Sequence, residues 1–252
     1  MDLHCRRLGN GPDLVLLHGW GLHSGIWDGV AERLAAQFRV HLVDLPGHGR
    51  SAPVADFSLA GVCDRLAAVT PAPAHWLGWS LGGLLALGVA SRFPARVARL
   101  VLVASSPRFV AGPDWPTAMP AGTLDGFAAD LARDPRATLT RFLSLVARGA
   151  PDGTVLRRLR ATLQAAPPPA AVALSGGLAI LRDTDLRATL ETLAAPALWL
   201  GGARDTLVPI AALRSVVARH PALRLQEFAA AGHAPFLSHP AEFVTAVQGF
   251  LT

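Results

Sequence analysis

The chain has 252 residues, of which 51% are apolar and 16% charged, so its composition excludes a disordered chain and predicts one large domain with its own core. All 23 basic residues are arginine, a pattern typical of GC-rich coding, and we therefore expect no nucleic-acid partner despite the net charge of +5. Apolar runs stay shorter than the roughly 20 residues that cross a bilayer, so no membrane association is expected.

The N-terminal residues and the two cysteines indicate the cellular compartment in which the protein is expected. The stretch "MDLHCRRLGNGPD" lacks the apolar core of a signal peptide. Cys5 and Cys63 are too few for a disulfide framework. We therefore expect a cytoplasmic protein with two reduced thiols.

Short apolar runs alternate with amphipathic segments along most of the chain. The runs are nearly continuous, which is typical of strands covered on both faces in a parallel sheet. The predicted strands cover residues 13–19, 39–47, 75–79, 100–105, 197–202 and 223–228, and the predicted helices cover residues 27–37, 58–69, 81–93, 210–219 and 240–251. This order predicts an open α/β sheet flanked by helices.

The alternation stops between residues 108 and 189, a segment that we call the insertion. It contains no convincing strand and three or four helical patterns, for example at 122–133 and 135–148. The simplest organisation is a core in two parts, residues 1–107 and 190–252, with the helical insertion between them.

The stretch Gly78-Trp79-Ser80-Leu81-Gly82 lies between a predicted strand and a predicted helix. This order is required of a nucleophile elbow, in which a tight turn exposes a serine hydroxyl at the N-terminus of a helix. Side chains on either side of the serine would collide in such a turn, which accounts for both glycines. The alternative is an ordinary turn whose serine caps the helix, but the flanking elements favour the elbow, with Ser80 as nucleophile.

A serine nucleophile needs a base, and the base needs an acid that orients it, in the chain order Ser, Asp or Glu, His. Asp205 follows a late predicted strand, and His233 lies in a glycine-containing loop after the last one. Asp183 and Asp185 are rivals that fall in the insertion, and His239 is interpreted as a local cap at a helix start. We therefore predict Asp205 and His233 as the partners of the serine.

Acyl transfer also needs N–H donors for an oxyanion. Leu81 directly follows the nucleophile, and Trp20 lies in the loop "LLHGWGL", where His18 is interpreted as a structural residue. The turn "DLPGHGRS" has neither the Walker lysine nor the Rossmann glycine pattern, and no Cys/His cluster has zinc spacing. We therefore predict Trp20 and Leu81 as oxyanion donors and expect no cofactor and no metal.

The motifs "HGWG", "DLPGHGRS", "GWSLGG", "GARDTLVP" and "GHAPF" together resemble the α/β-hydrolase superfamily over the whole chain. The resemblance implies an α/β-hydrolase fold, a mostly parallel sheet flanked by helices with a helical cap inserted after the sixth strand. It also implies that Ser80, Asp205 and His233 form the catalytic triad. The serine separates this chain from the dehalogenase and epoxide-hydrolase branches, which carry aspartate at that position.

A second set of segments, among them "WLGWSLGGL", "LSGGLAILRDTDLR" and "HAPFLSHPAEF", resembles the carboxylesterases that cleave the methyl ester of pimeloyl-acyl-carrier protein in biotin synthesis. By this resemblance Trp20 and Leu81 bind the substrate as well as the oxyanion. The stretch "RFLSLV" matches the part of the cap that lines the acyl channel. This match adds five expected substrate-binding residues: Phe142, Leu143, Ser144, Leu145 and Val146.

Positive charge is concentrated in the insertion. Residues 133 to 160 include seven arginines and two aspartates, a surplus equal to the net charge of the whole chain. Such a cluster attracts an acidic partner, although a solvated helical face is the alternative. The resemblance implies that insertion arginines dock the acidic acyl-carrier protein; Arg141 and Arg157 match such positions, and Arg136 and Arg158 lie close to others.

The sequence as a whole predicts a monomeric serine carboxylesterase that acts on a small ester carried by the acyl-carrier protein. A general short-chain esterase, a lactonase or a C–C bond hydrolase would keep the same triad, because this fold hosts many activities. A non-catalytic receptor of the same fold is a further alternative, and the complete set of Ser80, Asp205 and His233 argues against it.

Overall fold

One twisted sheet organises the protein, for which a computed structural model describes residues 3–252; Met1 and Asp2, at the start of the predicted first core part, lie outside the described residues. Within residues 3–252 the sheet has seven strands in the order β1-β3-β2-β4-β5-β6-β7. Only β1 is antiparallel to its neighbour among these described strands. The strands are β1 (Cys5–Leu8), β2 (Asp13–Leu17), β3 (Arg39–Val43), β4 (Ala74–Trp79), β5 (Val97–Val103), β6 (Ala197–Gly202) and β7 (Arg224–Phe228).

Helices cover both faces of the sheet and fill the insertion. The core helices are α1 (Asp28–Leu34), α2 (Leu59–Val69) and α3 (Leu81–Arg92) before the insertion. The insertion, which is described throughout, contains α4 (Gly122–Arg133), α5 (Pro135–Val146), α6 (Thr154–Gln164) and α7 (Ala171–Asp183). The core resumes with α8 (Ile210–Arg219), the single turn α9 (Pro235–Ser238) and α10 (Pro240–Leu251).

Local signals set several helix starts. The Ser58 hydroxyl accepts a hydrogen bond from the Gly61 N–H and begins α2, and the Asp134 carboxylate accepts one from Ala137 and begins α5. Pro135 then occupies the first position of α5, where its missing N–H costs nothing. These side chains satisfy backbone donors that have no partner inside the helix.

The mostly parallel sheet flanked by helices confirms the predicted fold class. The position of the insertion differs by one strand, because it follows β5, the fifth strand of residues 3–252, instead of the sixth. One antiparallel strand, β1, precedes β2 in the described chain. The sequence did not predict β1, since its four residues are half-exposed edge residues without an apolar run. The division of the chain at residues 107/108 and 189/190 stays a prediction.

Helix α3 runs through the middle of the molecule. Its residues from Leu81 to Ala90 are buried all round, because the sheet lies on one side and α2 and α7 pack against the others. This position explains why its first ten residues carry no charge. None of the described helices is long and apolar enough to cross a membrane.

The parallel strands bring three loops to one edge of the sheet. Ser80 follows β4, Asp205 lies three residues after β6, and His233 lies in the loop after β7. In open α/β sheets, ligands bind outside the carboxyl ends of the strands. The fold therefore places the three predicted catalytic residues along the edge where a site is expected.

Candidate active site

Ser80 occupies a strained turn between β4 and α3. Its backbone has φ 54° and ψ −118°, a conformation that residues other than glycine rarely adopt. The Ser80 N–H donates to the carbonyl oxygen of Val103 at 2.9 Å, and the Ser105 hydroxyl donates to the carbonyl oxygen of Ser80 at 2.8 Å. Backbone strain of this kind persists where surrounding contacts hold it, and here β5 supplies them.

The two glycines beside the serine are required for different reasons. A Cβ atom on Gly78 would overlap the carbonyl oxygen of Gly82, as expected for a tight elbow. A Cβ atom on Gly82 would lie 2.5 Å from the carbonyl oxygens of both Leu17 and His18. The second glycine therefore lets α3 approach the end of β2, a long-range constraint that the sequence pattern did not reveal.

Asp205 and His233 form a buried pair in the structure. The Nδ1 of His233 lies 2.7 Å from Oδ2 of Asp205, and each side chain is only 1% exposed. The other carboxylate oxygen of Asp205 accepts hydrogen bonds from the N–H groups of Leu207 (2.8 Å) and Val208 (3.0 Å). The carboxylate is thus fixed by backbone donors, and it fixes the imidazole so that Nε2 is free to act as a base.

Nε2 of His233 is buried and has no hydrogen-bond partner among the described residues. His233 and Ser80 nevertheless line the same cavity, and Ser80 is 4% exposed. A buried imidazole nitrogen without a partner costs free energy, so a ligand or the serine hydroxyl is the expected partner during the reaction.

Trp79 holds the histidine loop, a role that the sequence did not assign to it. Its indole Nε1–H donates to the carbonyl oxygen of His233 at 2.8 Å, and the two rings lie 5.7 Å apart. The rings of Trp79 and Phe236 pack edge to face, with their centroids 5.1 Å apart. The residue before the predicted nucleophile therefore positions the residue predicted as base, and its only sequence signal is an unusual tryptophan in the elbow.

The predicted oxyanion donors lie beside the serine in the fold. Leu81 begins α3, and Trp20 lies in the turn after β2, against which Gly82 packs. Among the described residues, neither backbone N–H donates a hydrogen bond to another protein group. The Trp20 side chain is anchored separately, because its Nε1–H donates to the carbonyl oxygen of Leu174 in the insertion at 2.8 Å.

His18 is a structural residue, as expected. Its Nε2 accepts the Leu45 N–H at 2.9 Å, so Nδ1 carries the proton and donates to the carbonyl oxygen of Gly19 at 2.8 Å. Burial lowers the pKa of His18 to about 4. The imidazole therefore stays neutral at pH 7 and joins the first loop to the turn after β3.

The rival residues lie elsewhere. Asp183 and Asp185 are exposed and pair with Arg182 and Arg187, both at 2.7 Å. His239 precedes α10, but its side chain does not cap that helix; its Nδ1 lies 2.8 Å from the Ser238 hydroxyl. The expectation of a local cap was wrong in this respect, because the ring turns toward its neighbour in the chain.

An apolar cavity surrounds the Ser80 hydroxyl and His233. Most of its wall comes from the insertion, and Leu207 adds to the part supplied by the core. The insertion residues are Phe109, Met119, Leu124, Phe127, Phe142, Leu178 and Leu181. The cavity volume is about 20 Å³, which is room for about one water molecule. The site is closed in this structure, and an ester must displace part of its wall.

Of the predicted acyl-channel residues on α5, the structure brings Phe142 to the cavity and leaves the other four away from it. Ser144 is exposed, and its hydroxyl donates to the carbonyl oxygen of Thr140 on the outer face of α5. Leu143 and Val146 are buried between helices, and Leu145 is half-buried. Successive helical residues point about 100° apart, so five in a row cannot all face this cavity, and substrate binding by these four stays a prediction. Trp20 and Leu81 adjoin the site but do not line this cavity.

The predicted docking arginines are all exposed and line different depressions of the surface or none. Arg136 and Arg141 line the same shallow depression on α5. Arg158 lines a groove between the insertion and the core, whereas Arg157 contacts the Thr154 hydroxyl at 3.1 Å. Adjacent residues of a helix face different directions, and α6 therefore separates Arg157 from Arg158.

Most of the arginines between residues 133 and 160 are not paired with an acidic side chain among the described residues. Arg133 and Arg141 both pair with Asp130, at 2.7 and 2.5 Å. The remaining five make no ion pair within residues 3–252: Arg136, Arg148, Arg157, Arg158 and Arg160. An exposed surface with unpaired guanidinium groups attracts carboxylates and phosphates.

Within residues 3–252, no group of three or more His, Cys, Asp or Glu side chains is arranged to hold a metal ion. Cys5 and Cys63 are both free thiols. Burial raises the pKa of Cys63 to about 12, so its thiol is unreactive at pH 7.

Comparison with known proteins agrees with this geometry. Residues 12–240 match the alpha/beta hydrolase fold family. The chain belongs to that family.

Two relatives and one solved structure are similar to this chain over nearly its whole length. The chain is 47% identical to a pimeloyl-[acyl-carrier protein] methyl ester esterase of Xanthomonas campestris pv. campestris, over 99% of this chain and 98% of the relative. It is 46% identical to the protein of that name from Nitrosomonas europaea, over 97% of both chains. Among solved structures, a hydrolase from Pseudomonas aeruginosa PA01 is 32% identical with a TM-score of 0.82, covering 99% of this chain and 94% of that one.

We expect Trp79→Phe to lower kcat for ester hydrolysis about tenfold to hundredfold with little change in KM. The variant loses the hydrogen bond that fixes the carbonyl of His233, and small displacements of a base are costly. Steady-state kinetics on any hydrolysed ester measure the effect. Trp115→Phe is the control, because it loses a comparable indole hydrogen bond, to the carbonyl oxygen of Arg108, and Trp115 neither lines the cavity nor bonds to His233; an equal loss of kcat in that variant would contradict the assignment.

We expect acid to destabilise the fold through His18. The folded pKa is about 4 and the ordinary value is 6.5, so the unfolded chain takes up the proton first as the pH falls. Because of His18, the free energy of unfolding falls as the pH drops from 6.5 to 4, and the loss is about 2 kcal/mol at pH 4.5.

Urea unfolding at pH 7 and pH 4.5 tests this expectation. The loss of unfolding free energy on acidification should be about 2 kcal/mol smaller in His18→Gln than in the wild type. His220→Gln, at the end of α8, should behave like the wild type. If His18→Gln loses as much stability as the wild type, another group is responsible.

Proposed function

We propose that this protein is a serine carboxylesterase that hydrolyses the methyl ester of a pimeloyl chain carried by acyl-carrier protein. One observation carries the chemistry: the buried Asp205–His233 pair, 2.7 Å apart, lies in the cavity that is lined by Ser80 at its strained turn. The substrate is supported by the relatives at 46–47% identity, which are named for that ester.

In the first half of the proposed reaction, Nε2 of His233 takes the proton of the Ser80 hydroxyl, and Oγ attacks the ester carbonyl. The N–H groups of Trp20 and Leu81 stabilise the oxyanion, since they have no protein acceptor. His233 then protonates the departing methoxy group, methanol leaves, and the acyl chain remains bonded to Ser80. Asp205 stabilises the imidazolium throughout.

In the second half, a water molecule gives its proton to His233 and attacks the acyl-enzyme. The oxyanion forms at the same place, and the proton returns to Oγ of Ser80 as the carboxylic acid is released. The cavity around this centre is apolar apart from Ser80 and His233, so its lining suits the methylene chain of the substrate once part of the wall has moved to admit it.

The carrier is proposed to bind the exposed arginines of the insertion. Arg136 and Arg141 on α5 and Arg157 on α6 are exposed, and two of the three make no ion pair among the described residues. Acidic groups of a carrier would be attracted to them at long range and would pair with them on contact.

With pimeloyl-acyl-carrier protein methyl ester as substrate, Ser80→Ala should lower methanol release by at least about 10⁴-fold, because the nucleophile is gone. Ser91→Ala, an exposed position near the end of α3, should retain full activity. Circular dichroism checks that both variants fold. A wild type that cleaves short free esters and leaves the carrier ester untouched would instead be a general esterase.

Arg157→Glu should lower kcat/KM for the carrier ester about fivefold to tenfold at low salt and leave a free ester unaffected. The effect should shrink at 0.5 M salt, because screening weakens attraction between exposed charges. Arg65→Glu makes the same change in net charge on the exposed face of α2. Equal effects of the two variants would show that net charge acts, without a docking surface.

A further inference from the structure

Phe127 connects the surface of the insertion to the catalytic cavity. Its ring lines the cavity with Ser80 and His233, and the residue is 2% exposed. On its outer side, the guanidinium carbon of Arg141 lies 4.8 Å from the ring centroid. The Arg141 side chain is 55% exposed, so this contact lies at the boundary between solvent and the wall of the active site.

Asp130 holds Arg141 in this place. Its Oδ2 lies 2.5 Å from Nη1 of Arg141, while its Oδ1 lies 2.7 Å from Nη2 of Arg133. Asp130 follows Phe127 by three residues on α4, so the carboxylate and the ring share one face of that helix. The guanidinium group of Arg141 on α5 therefore pairs with the Asp130 carboxylate and covers the Phe127 ring at the same time.

Inside the cavity, aromatic contacts continue toward the nucleophile. Phe127 meets Phe142 edge-on at 5.9 Å, and Phe142 meets Trp20 edge-on at 4.9 Å. Both phenylalanines line the cavity, and Trp20 lies in the loop proposed to bind the oxyanion. A displacement of Phe127 is thus passed to Phe142 and from Phe142 to Trp20, beside the proposed nucleophile.

Some part of this wall has to move for the reaction to occur. The cavity of about 20 Å³ is too small for an acyl chain. Most of the wall consists of leucines and other apolar side chains packed inside the insertion. Phe127 differs, because a charged group on the surface holds its outer face.

We propose that Arg141, Asp130 and Phe127 form a latch that keeps the cavity closed, and that an acidic partner opens it by drawing Arg141 away from Asp130. The partner is the acidic carrier of the proposed function, on which this inference rests. The exchange leaves no unpaired carboxylate, since Arg133 still neutralises Asp130. The carrier then lowers the free energy of the open state as it docks, because it binds that state more tightly.

Dimethyl pimelate tests the latch, because it has the same acyl chain and no carrier. Asp130→Ala and Arg141→Ala should each raise kcat/KM for this ester about threefold to tenfold, the range that an exposed ion pair and an exposed cation–π contact supply. Arg133→Ala is the matched control: it removes the other partner of Asp130, which among the described residues makes no cation–π contact with Phe127, and it should leave the rate unchanged. Thermal melts check that all three variants fold.

The partner's effect is measured by adding acyl-carrier protein without its prosthetic arm to the same assay. It should raise the rate of the wild type on dimethyl pimelate and have no effect on Arg141→Ala. A wild type that the carrier does not stimulate, latch variants no faster than the wild type, or an Arg133→Ala variant that is equally fast would each overturn the proposal. Failure of the proposed function is a separate result, seen as absent turnover of the carrier-linked ester by the wild type.

Discussion

The close approach of α3 to the ends of β2 and β4 is the constraint on which the site depends. No side chain fits between Gly82 and the carbonyl oxygens of Leu17 and His18, and none fits between Gly78 and Gly82. The chain enters the helix there through a residue at positive φ, Ser80. The same approach brings the loop of Trp20 beside the first N–H groups of α3, so the proposed nucleophile and its proposed oxyanion donors have one structural cause.

A second set of contacts ties the histidine loop to this turn. Asp205 is held by two backbone donors and in turn holds the imidazole of His233. Trp79, which directly precedes Ser80 in the chain, donates a hydrogen bond to the carbonyl oxygen of His233. Hydrogen bonds therefore connect the loops that follow β4, β6 and β7, although their residues are far apart in sequence. Holding the imidazole in place in this way reduces the reorganisation that proton transfer requires.

Chain order and local pattern were enough to predict much of this arrangement. Buried strands have the sequence pattern of apolar runs. The proposed nucleophile, acid and base follow the ends of β4, β6 and β7, so their meeting is a consequence of a parallel sheet. Contacts between helices were not predictable in this way. Which face of α5 meets the cavity depends on how α4 and α6 pack against it, and an apolar run such as Phe142 to Val146 does not contain that information. The pairing of Arg141 with Asp130 is likewise a contact between two helices, and β1 has too little apolar pattern to be recognised.

The apolar wall of the cavity also bears on the direction of the reaction. A methyl ester is neutral and enters such a cavity at little electrostatic cost, whereas the product is a carboxylate at pH 7. That carboxylate would be buried among leucine and phenylalanine side chains, near the charge of Asp205. Burying a charge in apolar surroundings costs free energy that the neutral ester does not lose. The apolar wall of the cavity therefore favours both admission of the ester and release of the acid.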